Sequence, residues 1–213
     1  MVYQKFIFGG HELMLLPEKA VFIENSKILL LSDLHLGKAS HFRKAGIPVP
    51  VAVNRTNLDN LAYLLIRHKP SRVFFIGDLF HSHFNQEWES FGQLMEGFPE
   101  ISFELISGNH DILSTVQYER VRLKCYPNLE LFPEFFLIHE PDPAQKGFQI
   151  CGHLHPSVKL TGKGRQSLTL PCFWFSNQVC VLPAFGAFTG RSIIRPSKTD
   201  RVFVIVEEKV SEV

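Results

Sequence analysis

The stretch Ile28-Leu29-Leu30-Leu31-Ser32-Asp33-Leu34-His35 is the segment that most directly predicts the fold. Its apolar run has the length and residue types of a buried β-strand, and residues that bind metal ions follow at once. Four later runs repeat this pattern, each followed by Asp, Asn or His. They are Val73–Ile76 before Gly77-Asp78, Ile101–Ile106 before Ser107-Gly108-Asn109-His110-Asp111, Phe135–Ile138 before His139, and Gln149–Cys151 before Gly152-His153-Leu154-His155. In open α/β sheets, ligands gather beyond the carboxyl ends of the strands.

Two helical segments interrupt the strands in the first two thirds of the chain. Leucines recur with helical spacing over Leu58–Leu65, and a second helix is predicted over about Gln86–Met95. The last third has short strands with Gly and Pro turns and no convincing helix. Alternating strands and helices indicate β-α-β units. We therefore expect one α/β domain over residues 1–213, with a mixed sheet or a two-sheet sandwich and flanking helices.

The composition excludes several classes of protein. The 213 residues are 45% hydrophobic and 20% charged, which is typical of a globular chain and not of a disordered one. Lys plus Arg total 22 and Asp plus Glu total 21, so no global basic field draws the protein to nucleic acid. The four cysteines are too sparse for a disulfide framework. With no run of about 18 apolar residues and no recognisable signal peptide, we expect a cytoplasmic protein without a membrane partner.

Seven residues after the apolar runs are candidate metal ligands. They offer carboxylate, imidazole and amide groups without thiolate, which suits Mn, Fe or Zn better than a structural zinc site. Seven exceed the needs of one ion, so we expect two ions that share a bridging carboxylate and serve displacement at phosphorus. In an extended chain, Asp33 and His35 would point to the same side, and so would His153 and His155. The candidates are Asp33, His35, Asp78, Asn109, His139, His153 and His155.

The ordered motifs resemble the complete motif set of the calcineurin-like metallophosphoesterases. The residues that carry the resemblance are Asp33-x-His35, Gly77-Asp78, Gly108-Asn109-His110-Asp111, His139 and Gly152-His153-x-His155. The resemblance implies a four-layer α/β fold, in which a two-sheet β-sandwich is flanked by helices and carries a dinuclear metal site. By position, one ion would bind Asp33, His35, Asp78 and His155. The other would bind Asp78, Asn109, His139 and His153, with Asp78 as the bridge.

The resemblance also implies roles for residues beside the ligands. His110 would face the phosphate as general acid or charge stabiliser, and Asp111 would support the ligands without binding an ion. Many phosphatases of this class read Gly-Asp-x-x-Asp-Arg, whereas this chain has His81 in place of the second Asp. That departure resembles the repair nucleases of the superfamily, in which this His also faces the substrate. His81 is therefore the second catalytic candidate.

Longer stretches resemble one subgroup, the ligase-associated phosphoesterases of bacteria. These stretches are Leu15–Ala20, Asp33–Lys38, His41–Pro50 and Leu182–Gly190. The resemblance implies a DNA-repair endonuclease or phosphodiesterase that acts on single-stranded nucleic acid, in functional association with a DNA ligase, a helicase and an exonuclease. The cofactors would be two divalent metal ions, with manganese preferred and iron or zinc as alternatives.

Cations that follow the first metal motif are candidates for binding substrate phosphates, and these are Lys38, His41 and Arg43. We therefore predict hydrolysis of phosphodiester bonds by a hydroxide that the two ions activate, with single-stranded DNA or RNA as substrate. A nucleotide pyrophosphatase or cyclic-nucleotide phosphodiesterase of the same fold is the alternative. A non-catalytic scaffold is disfavoured, because the seven ligand positions and His110 are all intact.

Overall fold

The computed structural model describes residues 2–38, 42, 46, 52–81, 86–162 and 166–213. Strands predominate in these residues. The α-helices described are α1 (Ala52–His68), α2 (Gln86–Glu96) and α3 (Thr115–Arg120), and a 3-10 turn covers Glu24–Ser26. The strands are β1 (Gln4–Phe8), β2 (His11–Leu16), β3 (Ala20–Ile23), β4 (Ile28–Ser32), β5 (Arg72–Ile76), β6 (Ser102–Ile106), β7 (Lys124–Tyr126), β8 (Asn128–Phe132), β9 (Phe135–Ile138), β10 (Phe148–Cys151), β11 (Pro156–Thr161), β12 (Ser167–Ser176), β13 (Val179–Val181), β14 (Ser192–Ile193), β15 (Arg201–Val206) and β16 (Lys209–Glu212).

The first sheet has the strand order β1-β2-β3-β4-β5-β6-β7. Neighbours from β1 to β4 are antiparallel, and neighbours from β4 to β7 are parallel. Ser32 pairs with Ile76, and Ile76 pairs with Ile106. Because these three strands end in register, the loops that follow them begin side by side at one edge of the sheet.

The second sheet has the order β14-β11-β12-β13-β10-β9-β8, with β15 and β16 added beside β12. Its central strands β9, β10 and β13 run parallel to one another. Leu137 pairs with Ile150, and Cys151 pairs with Val181. The carboxyl ends of β9, β10 and β13 therefore also meet at one edge.

Strand β5 shows how the first sheet separates two cores. Side chains alternate across a strand, so Val73 and Phe75 pack on the helical side while Phe74 and Ile76 pack between the sheets. The inter-sheet core also includes Phe173 of β12, so that the two sheets form a sandwich. A strand buried on both faces reads as a continuous apolar run, which is why the sequence pattern predicts β4, β5 and β6 well.

The predicted sandwich with flanking helices is confirmed, with one difference in the layers. Leu64 of α1, Trp88 of α2 and Tyr118 of α3 all join the core on the outer face of the first sheet. Among the described residues, no helix covers the outer face of the second sheet. That face carries smaller apolar clusters, and the indole Nε1 of Trp174 donates to Asp200 at 2.8 Å. The described layers are therefore helices, first sheet and second sheet.

The two predicted helices match α1 and α2, whose bounds extend the leucine-rich and Gln86–Met95 segments by a few residues. Helix α3 was not predicted because six residues give too short an apolar pattern to be recognised. None of the helices within the described ranges has both the length and the apolar character needed to span a membrane.

Candidate metal centre

The candidate ligands lie at one edge of the two sheets. Asp33, Asp78 and Asn109 follow β4, β5 and β6, which end in register. His139 and His153 follow β9 and β10 of the second sheet. The edges are joined directly, because the backbone N–H of His153 donates to Asp33 Oδ1 at 3.2 Å and to Oδ2 at 3.0 Å. The fold thus brings the five loops of the sequence pattern together.

The backbone at five of the seven candidates is left-handed. The φ angles are 52° at Asp33, 47° at His35, 49° at Asp78, 64° at His153 and 47° at His155. Only a few per cent of non-glycine residues adopt such angles, although Asp and His do so more often than most. Such residues cluster at functional sites.

The extended conformation expected for Asp33-x-His35 and His153-x-His155 is therefore wrong. Both segments turn where the strands end, so the alternation of a pleated strand does not decide where their side chains point. Asp33 and His35 still reach the same group of ligand atoms, whereas His153 and His155 reach different groups.

Two glycines let the ligand loops approach one another. A Cβ on Gly77 would lie 1.7 Å from His139 Nδ1, and the φ of 73° at this position is itself unfavourable for other residues. A Cβ on Gly108 would lie 2.5 Å from both the backbone nitrogen and Oδ1 of Asp78. Side chains at these positions would displace His139 and Asp78.

The ligand atoms form two groups, in each of which they lie within 4.8 Å of one another. The members are Asp33, His35 and His155 in the first group and Asp78, His139 and His153 in the second. His155 Nε2 is 3.3 Å from Asp33 Oδ1, and His153 Nδ1 is 3.2 Å from His139 Nε2. Two atoms that bind one ion at about 2.1 Å and at roughly 90–110° are about 3.0–3.4 Å apart. The observed separations fit such an arrangement.

The Asp78 carboxylate belongs to the second group and also faces the first. Its Oδ1 is 3.5 Å from His139 Nε2, and its Oδ2 is 3.7 Å from His35 Nε2. The side chain is buried, as are those of His35 and His139. One oxygen therefore faces each group, which is the arrangement that a bridging carboxylate needs.

The imidazole hydrogen bonds leave the opposite ring nitrogens for metal. His139 Nδ1 lies 3.4 Å from the carbonyl of Ile76, and His155 Nδ1 lies 3.2 Å from the carbonyl of Gly190. Metal-binding histidines are usually oriented in this way by their second nitrogen. Within the described residues, the buried Nε2 atoms of His35 and His155 have no hydrogen-bond partner. An ion would satisfy both atoms, so the residues fit a divalent metal.

The protonation state of His35 also favours a metal. Burial, together with the positive charge of Lys38 and the neighbouring histidines, lowers the pKa of His35 to about 2. Imidazole binds metal through its neutral form. His35 is thus already in the form that coordinates an ion at neutral pH.

The two catalytic candidates lie beside the first group. His81 Nδ1 is 3.2 Å from His35 Nδ1, so one ring donates to the other. The His110 ring is exposed, and its centroid is 4.1 Å from that of His81 and 5.4 Å from that of His35. The backbone N–H of His110 donates to Asp78 Oδ1 at 2.9 Å, which attaches its loop to the site.

Asp111 ties together the loops after β5 and β6. Its Oδ1 accepts from the N–H of Phe80 at 3.1 Å, and its Oδ2 accepts from the N–H of Gly108 at 2.9 Å. Burial is the largest effect that raises the pKa of this carboxyl group, which reaches about 7. Asp111 thus contacts backbone groups next to the ligands.

Of the three phosphate-binding candidates, the structure describes Lys38. Its side chain is partly buried, and burial lowers its pKa while the charges of Asp78 and Asp33 raise it. The charges of both carboxylates of the site therefore act on the ammonium group. His41 and Arg43 lie outside the described residues.

Asn109, the seventh ligand candidate, is exposed in the loop between Gly108 and His110.

Sequence reasoning missed Asn57, a buried residue that holds two loops at the site. Its Nδ2 donates to the carbonyl of Leu34 at 3.5 Å, and its Oδ1 accepts from the N–H of Ala187 at 2.9 Å. The same two loops meet where the N–H of Gly186 donates to the carbonyl of Asp33 at 3.1 Å. The available signal was a polar residue at helical spacing from Leu61, on the apolar face of the predicted helix.

Three comparisons relate the chain to known proteins. A family model described as calcineurin-like phosphoesterase matches residues 26–172. A search of the curated proteins finds no significant match to the chain. The crystal structure of the nuclease MPE of Pseudomonas putida is 28% identical and has a TM-score of 0.84, covering 99% of this chain and 100% of that one. The Escherichia coli phosphoesterase Yfce is 12% identical, with a TM-score of 0.46 and coverage of 87% and 97%.

The family match spans more than half of the chain and includes the loops that carry the two ligand groups. The similarity to the P. putida nuclease extends over the complete fold. By this match and this geometry, the chain belongs to the calcineurin-like phosphoesterase family and is a metal-dependent phosphoesterase.

Proposed function

We propose that the protein is a dinuclear-metal phosphodiesterase that cleaves single-stranded DNA or RNA internally and acts in DNA repair. The observation that carries this proposal is the pair of ligand groups that the Asp78 carboxylate connects, because paired ions serve in-line displacement at phosphorus. The similarity to the P. putida nuclease supports a nucleic-acid substrate. The repair role and the association with a ligase, a helicase and an exonuclease rest on the resemblance of the sequence to the ligase-associated subgroup.

Each ion is proposed to take one of the two ligand groups together with Asp78. One ion would bind Asp33, His35, Asp78 and His155, and the other would bind Asp78, Asn109, His139 and His153. The distances within the groups and the unpartnered Nε2 atoms of His35 and His155 support this assignment for the aspartates and histidines. The place of Asn109 rests on the family resemblance. Manganese is the metal we expect, because carboxylate, amide and imidazole ligands suit it and thiolate is absent from the set.

When bound, the ions would supply an activated water and positive charge at the phosphoryl oxygens. The protein's own side chains bind, orient and transfer the proton. Lys38 would hold a phosphoryl oxygen beside Asp33 and Asp78, because the charges of both carboxylates act on its ammonium group. The exposed His110 ring would donate its proton to the leaving alkoxide oxygen. Besides the contact with substrate that the resemblance implies for it, His81 would keep His35 in the tautomer that presents Nε2, since their Nδ1 atoms share a hydrogen bond.

The open site favours a polymeric substrate. The side chains of Asn109 and His110 are exposed, and those of His153 and His155 are partly exposed. A strand of nucleic acid can pass across such a surface and present an internal phosphodiester. A small nucleotide would need a closed apolar pocket for most of its binding, and within the described residues the exposure of these four side chains favours an open surface instead.

The function is tested by comparing three substrates with manganese: circular single-stranded DNA, bis-p-nitrophenyl phosphate and p-nitrophenyl phosphate. Asp78→Ala, which removes the carboxylate between the groups, serves as the inactive variant. Glu96→Ala is the matched control, because this exposed carboxylate at the end of α2 lies on the helical side of the first sheet. His110→Ala should retain the metal and lose about 10²–10⁴-fold in rate if this residue is the general acid.

The proposal predicts that the wild-type protein and Glu96→Ala open the circle and hydrolyse the diester, while Asp78→Ala does neither. Hydrolysis of the diester with an intact circle would replace the nuclease by a small-nucleotide phosphodiesterase. Hydrolysis of the monoester alone would make the protein a phosphomonoesterase. Loss of metal in His110→Ala would contradict the role given to His110.

A further inference from the structure

Lys19 lies at the ligand edge of the first sheet although it precedes the first metal motif by fourteen residues. It is in the turn between β2 and β3, where its φ is 64° and its N–H donates to the carbonyl of Leu16 at 3.0 Å. Strand β3 runs antiparallel to β4, with Val21 opposite Leu30. The turn before β3 therefore lies beside the end of β4, where Asp33 follows.

Arg191 is attached to the same edge from the second sheet. The residue before it, Gly190, accepts a hydrogen bond from His155 Nδ1 at 3.2 Å, and the residue after it, Ser192, donates to the carbonyl of His155 at 3.0 Å. The guanidinium Nη1 donates to the carbonyl of Thr169 at 3.0 Å. Arg191 is thus oriented next to a candidate metal ligand, with N–H groups left to bind an anion.

The turn that holds Lys19 and the segment that holds Arg191 reach the same ligand edge, one from each sheet. Burial, together with the charge of Arg191, lowers the pKa of Lys19. In the part of the chain that the structure describes, neither side chain has a carboxylate within ion-pairing distance. Arg72, by comparison, is paired with the buried Glu104 at 2.7 Å. A partly buried cation next to a second cation is unfavourable unless an anion compensates them.

We propose that Lys19 and Arg191 form a phosphate subsite that binds the phosphodiester next to the scissile one on the substrate strand. Lys38 follows the first metal motif directly, and its N–H donates to the carbonyl of His35 at 3.2 Å, whereas Lys19 lies one strand away in the turn before β3. Lys38 therefore serves the scissile phosphate, and the Lys19–Arg191 pair serves its neighbour on the strand. A planar guanidinium can bind a phosphate through two N–H groups while the ammonium adds a point charge.

The subsite rests on the proposed nuclease function. Its test uses one assay for binding of a strand and another for hydrolysis, so that failure of the subsite and failure of the nuclease function can be told apart. Binding of a labelled oligothymidine is measured by fluorescence anisotropy with metal-depleted protein, in which no cleavage occurs, over about 50–200 mM salt. Hydrolysis of bis-p-nitrophenyl phosphate is measured with manganese, because this small diester has no neighbouring phosphate. The variants are Lys19→Gln, Arg191→Gln and the conservative Lys19→Arg. Lys124→Gln is the matched control, since this exposed lysine begins β7 at the opposite end of the sheet.

We expect each Gln variant to bind the oligonucleotide about tenfold more weakly and to lower the salt dependence of log Kd by about 0.7, the share of one phosphate contact on a single strand. Turnover of the small diester should stay within about twofold of wild type, and Lys19→Arg should restore binding. Unchanged binding and salt dependence in both Gln variants would overturn the subsite, as would wild-type protein that does not bind the strand. An equal loss of small-diester turnover would also overturn it, because the residues would then act on the metal centre. Wild-type protein that binds through Lys19 and Arg191 but does not cleave would refute the nuclease and leave the subsite standing.

Discussion

Replacement of Gly77 by alanine should remove His139 from the metal centre. The new Cβ would lie 1.7 Å from His139 Nδ1, 2.4 Å from Cγ and 2.5 Å from Cε1, whereas ordinary contacts begin at 3.4 Å. The ring must therefore move by about 1.7 Å, far beyond the roughly 0.2 Å within which ligand distances are held. The overpacking costs about 1–3 kcal/mol, and alanine at a φ of 73° adds about 1–2 kcal/mol.

The assay is titration of metal-depleted protein with manganese by isothermal calorimetry, together with thermal unfolding. Gly77→Ala should lose at least about 10–100-fold in affinity for one ion, the range seen when the support of a ligand is removed. Gly10→Ala is the matched control, because its φ of 79° gives the same backbone strain and nothing lies within 4 Å of the added Cβ. It should be destabilised by about 1–2 kcal/mol and bind manganese normally.

Two results would refute this reasoning. Gly77→Ala with unchanged affinity for both ions would show that His139 is not a ligand or that its ring can move without loss. Gly10→Ala with the same loss of metal would show that general destabilisation, and not the contact with His139, explains the effect.

Other side chains give independent predictions. His81→Ala should weaken manganese binding about 10–100-fold by removing the partner of His35 Nδ1. His81→Asn should retain most of the affinity, because its amide oxygen accepts the same hydrogen bond. Wild-type affinity in both variants would argue that His81 acts on substrate alone. Asn57→Ala should lower the free energy of unfolding by about 1–3 kcal/mol in urea denaturation, because both loops lose the hydrogen bonds of a buried amide side chain. A change near zero would refute the role of this residue in joining the loops. Arg72→Met should destabilise the fold by about 3–5 kcal/mol, since Glu104 would be buried without its partner. Manganese affinity measured by calorimetry should not change, because Arg72 begins β5 at the edge opposite the ligands and Glu104 lies in the middle of β6.

The ligand-bearing strands could be recognised locally. A run such as Val73–Ile76 is apolar because both of its faces are buried, and the Gly-Asp that follows is visible in the same short stretch. The candidate ligands follow these strands in the order that the family resemblance implies, and the ligand atoms of six of them gather in two groups. Helix α3 and the short strands β7 and β14 were beyond local recognition, because a few residues carry too little periodicity.

The sequence by itself determined the strand runs, the residue types that end them and, through their order, the family. Only the tertiary structure decided how those residues turn and what they meet. The left-handed backbone at Asp33 and His153 accompanies a hydrogen bond between residues 120 positions apart. Lys19 and Arg191 reach the same edge because β3 pairs with β4 while Arg191 is anchored to His155 in the other sheet. Contacts of this kind depend on sheet pairing and on the packing of two sheets, and no local pattern of residues encodes them.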